Sequence, residues 1–517
     1  MTLTSEWLRR FGWPETLLTG HPLAIAHRGA CAYAPENTEK SFRIAADLCA
    51  EMWELDLRLS ADGVCVVSHD DDLTRQAGRG VRISQTPWQA LAALELPEGQ
   101  RLMRLEQVID LARACGCGLY IEIKDEGAGP EAWRILQEAQ FRFAALASFV
   151  PEWIGALRDR GCDWPLAVLV PAGADPRAHA QAARPDIVHI CWRKASGTPG
   201  RLLTDTLMHD LAGYQIILWD EDRPEVVEDI LDKPVMGICS DRPEMLKPYR
   251  PDPEHPVEIV CHRGANNLAP ENTLEAARIC IDQRFDYVEL DVRTTNDGAL
   301  VVMHDPGLER TTSGTGLVIE QSLDHLRGLD AGGWFRDGMR GEKVPTFEEY
   351  LALARSRSAG LYVELKHTDG NRLIETVRRA GMLERCFFWS YDTDLLRWMR
   401  RQSPEIVLMA TRWMYPSVAE TVADYNAQIV EFDVTRDDLS EVAQCRDLGV
   451  RSMIFSTRAD WEDLESYLQY RPDMVNLDYP ERFKIVASYP EVRRHFRAMT
   501  RADEQGTANK NIPGHGP

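Results

Sequence analysis

The residues able to do chemistry in this chain sit in short, repeated spacings. Glu54 and Asp56 form an acidic pair in WELDLRLS, and Glu122 precedes Lys124 in LYIEIK. His27 with Arg28 lies in IAHRGACAYAPENT, and His69 with Asp70 in VVSHD. On a strand, side chains two apart share a face, so Glu54 can converge with Asp56 and Glu122 with Lys124. Three carboxylates brought together repel, and some must take up protons unless positive charge sits among them. An all-oxygen set of this kind suits a hard dication, Mg²⁺ or Ca²⁺, better than zinc. Ion pairing with Arg58 or Lys124 is the alternative. The recurrence of the set, with histidines and a third acid at matching positions, favours a metal.

Two histidines beside such a site, His27 and His69, are what acid–base chemistry needs: one takes a proton while the other gives one. Arg28 and Lys124 add positive charge suited to a phosphate, and a guanidinium can hold two oxygens at once. For Arg28 a salt bridge in the wall is the competing role. Asn37 and Asn272 stand where a helix N-cap belongs, so capping and a site role are both open. Glu36 and Glu271 either bond the neighbouring arginine or reach the site. Gly29 and Gly264 are expected to permit a tight turn after a strand.

The elements that must hold these groups are legible from an internal duplication. IAHRGACAYAPENT (25–38) returns as VCHRGANNLAPENT (260–273), and WELDLRLSADGVCVVSHD (53–70) as VELDVRTTNDGALVVMHD (288–305). LYIEIK (119–124) returns as LYVELK (361–366) after a net insertion in the second copy, and GICSDRP (237–243) resembles VNLDYP (475–480). The period is too long for a solenoid. Each half alternates short β-rich runs with stretches long enough for crossover helices, which predicts parallel strands and, with eight such units, a (β/α)8 barrel. The runs VCVVSHD and ALVVMHD follow the second strand after only Ala61-Asp62-Gly63 and Asn296-Asp297-Gly298. A link that short predicts a hairpin arm on the second βα loop of each barrel. The acidic and basic groups then fall at the strands' C-terminal ends, where such barrels place active sites. The predicted domains are 1–249 and 257–499, joined by a Pro-rich linker at 250–256. A disordered tail is expected at 500–517.

Composition narrows the function. The chain has 517 residues, 44% hydrophobic and 27% charged, the make-up of an ordinary globular protein. Its 59 Lys and Arg against 81 Asp and Glu give a formal charge of −22, which disfavours nucleic acid and anionic lipid as partners while leaving room for a locally positive pocket. No apolar run predicts a transmembrane segment, and the first twenty residues lack the apolar core of a signal peptide. The 12 cysteines are scattered without a CxxC pair. Together these features predict a cytoplasmic protein with unpaired thiols.

Taken in order, HRG…PENT, ExD, DG…HD and ExK resemble the glycerophosphodiester phosphodiesterases, within the TIM-barrel phospholipase-C-like phosphodiesterases, and do so twice. The resemblance implies two tandem (β/α)8 barrels, each with one divalent cation. The ligands would be Glu54, Asp56 and Glu122 in the first copy, and Glu289, Asp291 and Glu364 in the second. It implies acid–base roles for His27, His69, His262 and His304, and phosphate contacts from Arg28, Lys124, Arg263 and Lys366. The implied reaction is hydrolysis of a glycerophosphodiester, a small-molecule substrate, to glycerol 3-phosphate and an alcohol. Either a glycerol hydroxyl or water attacks. Related readings are a sugar phosphodiester or lysophospholipid substrate, or one half acting as a non-catalytic phosphate-binding module. The halves differ. LERTTSGTG (308–316) and LDAGGWF (329–335) in the second resemble a substrate loop, against LTRQAGRG (73–80) and LELPEGQ (94–100) in the first. The first has Trp219, a candidate substrate contact, where the second has Phe455. Both sites are expected to bind metal. The second is expected to carry ordinary activity, and the first to be weaker or to prefer another leaving group.

Overall fold

The structure, a computed structural model, describes residues 3–191 and 203–508. The chain folds as two compact units, one running to Lys247 and including the stretch from Tyr489 onward, the other spanning Pro248–Ser488. In the first unit the strands are β1 (Leu23–Ala26), β2 (Met52–Leu59), β3 (Cys65–Val67), β4 (Met103–Arg104), β5 (Gly118–Ile123), β6 (Ala144–Ser148), β7 (Leu166–Val170), β8 (Ile187–Cys191), β9 (Gln215–Trp219) and β10 (Gly237–Ser240). Omitting β3 and β4, eight parallel strands close into a ring, since β1 pairs with both β10 and β2. The second unit repeats this with β11 (Glu258–Cys261), β12 (Tyr287–Thr294), β13 (Leu300–Val302), β14 (Gly360–His367), β15 (Cys386–Trp389), β16 (Val407–Thr411), β17 (Ile429–Asp433), β18 (Arg451–Ser456) and β19 (Met474–Leu477). Its ring closes through β11 pairing with β19 and β12. The wall strands are buried on both faces, lined on one side by helices and on the other by the barrel's own core, and so read as nearly continuous apolar runs.

The expected arm is present in both units. β3 runs antiparallel to β2, with Cys65 opposite Leu59, and β13 antiparallel to β12, with Leu300 opposite Thr294. Gly63 and Gly298 turn these hairpins at φ +82° and +80°, conformations that glycine adopts without cost. The first arm gains a further strand, β4, antiparallel to β3, which the sequence did not signal. Each arm covers a small apolar core of its own: Val66, Leu73, Ile83 and Leu91 in one, Val301, Leu308, Val318 and Leu326 in the other. The arm is thus a packed subdomain that carries His69 or His304 at the end of a supported strand.

The C-terminal boundary departs from the sequence reading. Residues 489–499, placed with the second barrel by sequence, belong to the first unit. The helix Pro490–Ala508 also continues past Thr500, where a disordered tail was expected; residues 509–517 lie outside the described residues. This helix packs against the helix Leu105–Cys115, and the His495 imidazole Nδ1 lies 2.8 Å from the Thr16 hydroxyl. Gly116 permits the close approach, because a Cβ there would stand 2.7 Å from Met499 Cβ. The helix was missed because its apolar residues are too few for a self-sufficient amphipathic pattern and need the first barrel's surface. Residues 250–256 hold neither helix nor strand. Truncation after Ser488 exposes the pocket of the buried Tyr489, Val492 and Phe496. At about 1.5–3 kcal/mol per buried apolar side chain, the first unit is expected to lose roughly 4.5–9 kcal/mol. Urea unfolding of the truncated and full chains should show a marked fall in one midpoint, and coincident curves would refute this role for the helix.

Candidate active site

Strand register brings the acids together. Asp56 on β2 is paired with Glu122 on β5, and Glu54 with Tyr120; in the second barrel Asp291 pairs with Glu364 and Glu289 with Tyr362. In each trio, Glu54–Asp56–Glu122 and Glu289–Asp291–Glu364, one oxygen per residue lies within 4.8 Å of the others. All six side chains are buried. Lys124 Nζ sits 2.6 Å from Glu122 Oε1 and 3.1 Å from Asp56 Oδ1, and Arg28 Nε is 3.1 Å from Asp56 Oδ2. Lys366 likewise bridges Glu364 and Asp291, and Arg263 Nε lies 3.6 Å from Asp291 Oδ2. Arg58, the other base considered for this role, instead pairs with Asp125 and donates to the His69 carbonyl.

These bases do not settle the whole charge. Burial, followed by repulsion from Asp56, pushes Glu54 up to about 8 and Glu122 to about 7. Burial also works against the charge on Asp56, but Lys124 and Arg28 overcome it and hold that carboxyl at about 2. The second trio follows the same pattern: burial raises Glu289 well above its ordinary value and Glu364 to about 7, while Lys366 and Arg263 keep Asp291 low against burial. Glu289 Oε1 is buried without a hydrogen-bond partner among the described residues. Three buried acids facing two bases, all offering oxygen, with one acceptor unused, fit a hard dication.

The histidines flank the trios. His27 Nδ1 lies 2.6 Å from Asp241 Oδ1, and its Nε2 3.9 Å from Glu54 Oε2. Burial disfavours a charged ring there, but the Asp241 hydrogen bond and the Glu54 charge raise His27 to about 9. His262 Nδ1 is likewise 2.6 Å from Asp478 Oδ1. His69 and His304 each place Nδ1 2.7 Å from the carboxylate of the next residue, Asp70 or Asp305, and burial lowers both. Trp219 meets the His27 ring edge-on at 5.9 Å, and Phe455 meets His262 at 5.1 Å. In the second barrel one cavity is lined by His262, Arg263, Glu289, His304, Glu364 and Lys366 together.

Six residues had no assigned part or an undecided one. Asp241 and Asp478 back the first histidines because ring closure sets Ala26 beside Ser240 and Cys261 beside Leu477, so the residue after each strand meets its counterpart. The repeated GICSDRP and VNLDYP segments were the available signal. Asn37 and Asn272 do not cap: Thr38 and Thr273 accept the capping hydrogen bonds instead. Asn37 Nδ2 donates to Asp56 Oδ2 at 3.0 Å, and Asn272 Nδ2 to Asp291 Oδ2 at 2.8 Å, from a left-handed backbone at φ +57° and +59°. Glu36 bonds Arg28 and Arg75, and Glu271 bonds Arg263 and Arg310, fixing the arginines. Gly29, at φ +78°, makes the turn after β1, where an added Cβ would meet Ser41.

These features define a duplicated TIM barrel with an acid-rich mouth flanked by carboxylate-backed histidines. The chain belongs to the glycerophosphoryl diester phosphodiesterase family, whose description matches residues 27–245 and again 262–458. A glycerophosphodiester phosphodiesterase of Caldanaerobacter subterraneus subsp. tengcongensis is 28% identical over 237 residues, covering 43% of this chain and 94% of that protein. The Bacillus subtilis protein YhdW is 35% identical over 164 residues, 32% of this chain, and the chain spans 64% of that relative's length, just under two thirds. A crystal structure of a glycerophosphodiester phosphodiesterase from Agrobacterium tumefaciens shares 36% identity over 44% of this chain and 99% of its own, with a TM-score of 0.42. An Oleispira antarctica phosphodiesterase in complex with sn-glycerol-3-phosphate shares 26% identity over 45% of this chain and 97% of its own, also at 0.42. Among the described residues no helix is long and apolar enough to cross a membrane.

Asn37→Ala or Asn272→Ala removes a donor from a buried carboxylate and leaves a Cβ-bearing residue without a local polar side chain at positive φ. The expected cost is about 2–4 kcal/mol of stability. Denaturant unfolding measures it, and a change below about 0.5 kcal/mol would contradict this reading of the clamp.

Proposed function

We propose that both barrels hydrolyse glycerophosphodiesters to glycerol 3-phosphate and an alcohol, each with one Mg²⁺ or Ca²⁺ held by its acidic trio. The observation that carries this is the complete recurrence of trio, arginine, lysine and histidine pair at two barrel mouths of one phosphodiesterase family. A dication bound there would supply positive charge to a phosphate oxygen and acidify a nearby hydroxyl. Lys124 and Lys366, each shared between two acids, are placed to turn toward an incoming phosphate, and Arg28 and Arg263, braced by Glu36 and Glu271, offer a fixed second contact. Asp241 and Asp478 occupy Nδ1 of His27 and His262 and so present Nε2 to the mouth. One histidine of each pair takes the proton of the attacking group as its oxygen bonds to phosphorus: either water, which gives glycerol 3-phosphate directly, or the substrate's own glycerol hydroxyl, which gives a cyclic phosphate that water then opens. The other protonates the alcohol oxygen as its bond to phosphorus breaks. Trp219 or Phe455 packs on the first histidine and limits its rotation.

The test is release of glycerol 3-phosphate by His27→Ala, His262→Ala and the double variant, with and without EDTA. The double variant is expected to lose about 10²–10⁴-fold in kcat, while each single variant keeps the other barrel's share. EDTA should abolish activity and Mg²⁺ or Ca²⁺ restore it. Loss confined to His262→Ala would make the first barrel a binding module, and activity indifferent to EDTA would remove the metal from the proposal. Asp241→Asn in a His262→Ala background should lower kcat about 10²-fold or more, with little change in KM, because the ring loses its fixed orientation. Unchanged kcat would leave Asp241 a structural partner only.

A further inference from the structure

The two mouths agree in their catalytic groups and diverge beside them. In the second barrel, a cavity of about 250 Å³ adjoins the trio. Its wall includes Trp389, Tyr391 and Trp413, and its floor Thr411, Glu431 and Asn476. Glu431 is 7% exposed and accepts one hydrogen bond, from Asn476 Nδ2 at 3.2 Å. Thr411 Oγ1 and Asn476 Oδ1 are buried and lack partners among the described residues. The floor therefore presents a carboxylate and two unspent polar groups to whatever enters. Tyr391, 58% exposed, stands at the rim with its ring 4.5 Å from that of Trp389. These rings already attract cations: Lys366 Nζ lies 5.8 Å from the Tyr391 ring, and Arg436 lies 4.4 Å above Trp413 while paired with Asp433.

Strand register identifies the first-barrel counterparts. Thr411 pairs with Glu431 as Leu169 pairs with His189, and Glu364 pairs with Trp389 as Glu122 pairs with Ala147. In the first barrel the acid is thus a histidine and the indole a methyl group. His189 is buried, lies 3.0 Å from the Tyr120 hydroxyl, and is driven by burial down to about 3, so it is neutral.

We propose that the second barrel carries a subsite for a positively charged alcohol, an amine or quaternary ammonium esterified to the phosphate, built from Glu431 with Trp389, Tyr391 and Trp413, and that the first barrel lacks it. A cation over aromatic faces beside a carboxylate gains from both ring quadrupole and charge. Asp433 is balanced by Arg436, so Glu431 is the remaining acid of the lining outside the catalytic groups. Burial pushes Glu431 up to about 8, so an arriving cation would also relieve its strained ionisation. The proposal rests on the catalytic reading of the second barrel, and the two can fail separately.

The experiment uses the full chain with His27→Ala, which silences the first mouth, and two diesters sharing the glycerol half: sn-glycero-3-phosphocholine and sn-glycero-3-phosphoglycerol. The choline diester is expected to have the higher kcat/KM. Glu431→Gln should lower the choline-to-glycerol ratio about tenfold. Tyr391→Ala, at an exposed position that cannot unfold the core, should lower it in the same direction. Saturable choline binding, followed by calorimetry, should be present in the His27→Ala protein and lost with Glu431→Gln. Choline binding without hydrolysis of either diester would overturn the catalytic reading while sustaining the subsite. Hydrolysis with no choline binding and an unchanged ratio would overturn the subsite. An equal loss on both diesters with Glu431→Gln would place the shared glycerol half on that floor and overturn it as well.

Discussion

Three carboxylates buried within 4.8 Å of one another at each barrel mouth set the terms for the surrounding structure. Their repulsion and lost hydration push two of every three toward neutrality, and only the middle acid, Asp56 or Asp291, is held charged by the flanking lysine and arginine. A site of this kind is unstable as an apolar core and incomplete as a salt-bridge network. The neighbouring features steady the charge that remains. Asn37 and Asn272 clamp the middle acid through a left-handed backbone, and Glu36 and Glu271 hold the arginines in place.

The histidines reach the trios by two different routes. His27 and His262 follow the first strand of each ring and are backed by an aspartate that follows the last, so closure of the barrel is also assembly of the pair. His69 and His304 instead ride on an antiparallel arm with its own apolar core. That arm is the main addition to an otherwise regular barrel, and its packing fixes a side chain that the barrel wall alone could not supply.

Duplication kept these constraints twice and relaxed what lies beside them. Glu431 stands where the first barrel has His189, and Trp389 where it has Ala147, while both trios keep the same three acids. The discontinuous first unit, completed by the helix Pro490–Ala508, shows that the units share one chain without being laid out strictly one after the other.

The sequence by itself determined the duplication, the strand runs, the hairpin arms and nearly all the ionisable groups at the mouths. These depend on local period and on residue type, and a twofold repeat doubles the signal. What it left open had long-range causes. Asp241 gained meaning only when β10 closed on β1, 214 residues from His27. Asn37 stood open between cap and site until its backbone turned left-handed and its amide met Asp56. The final helix lacked a pattern because its apolar face is completed by the first barrel's surface. Glu431 was one acid among many until register set it beside Thr411 in the lining of the cavity that Trp389 also walls. In each case the deciding contact joins residues distant along the chain, and such contacts exist only once burial and ring closure have fixed which strand lies beside which.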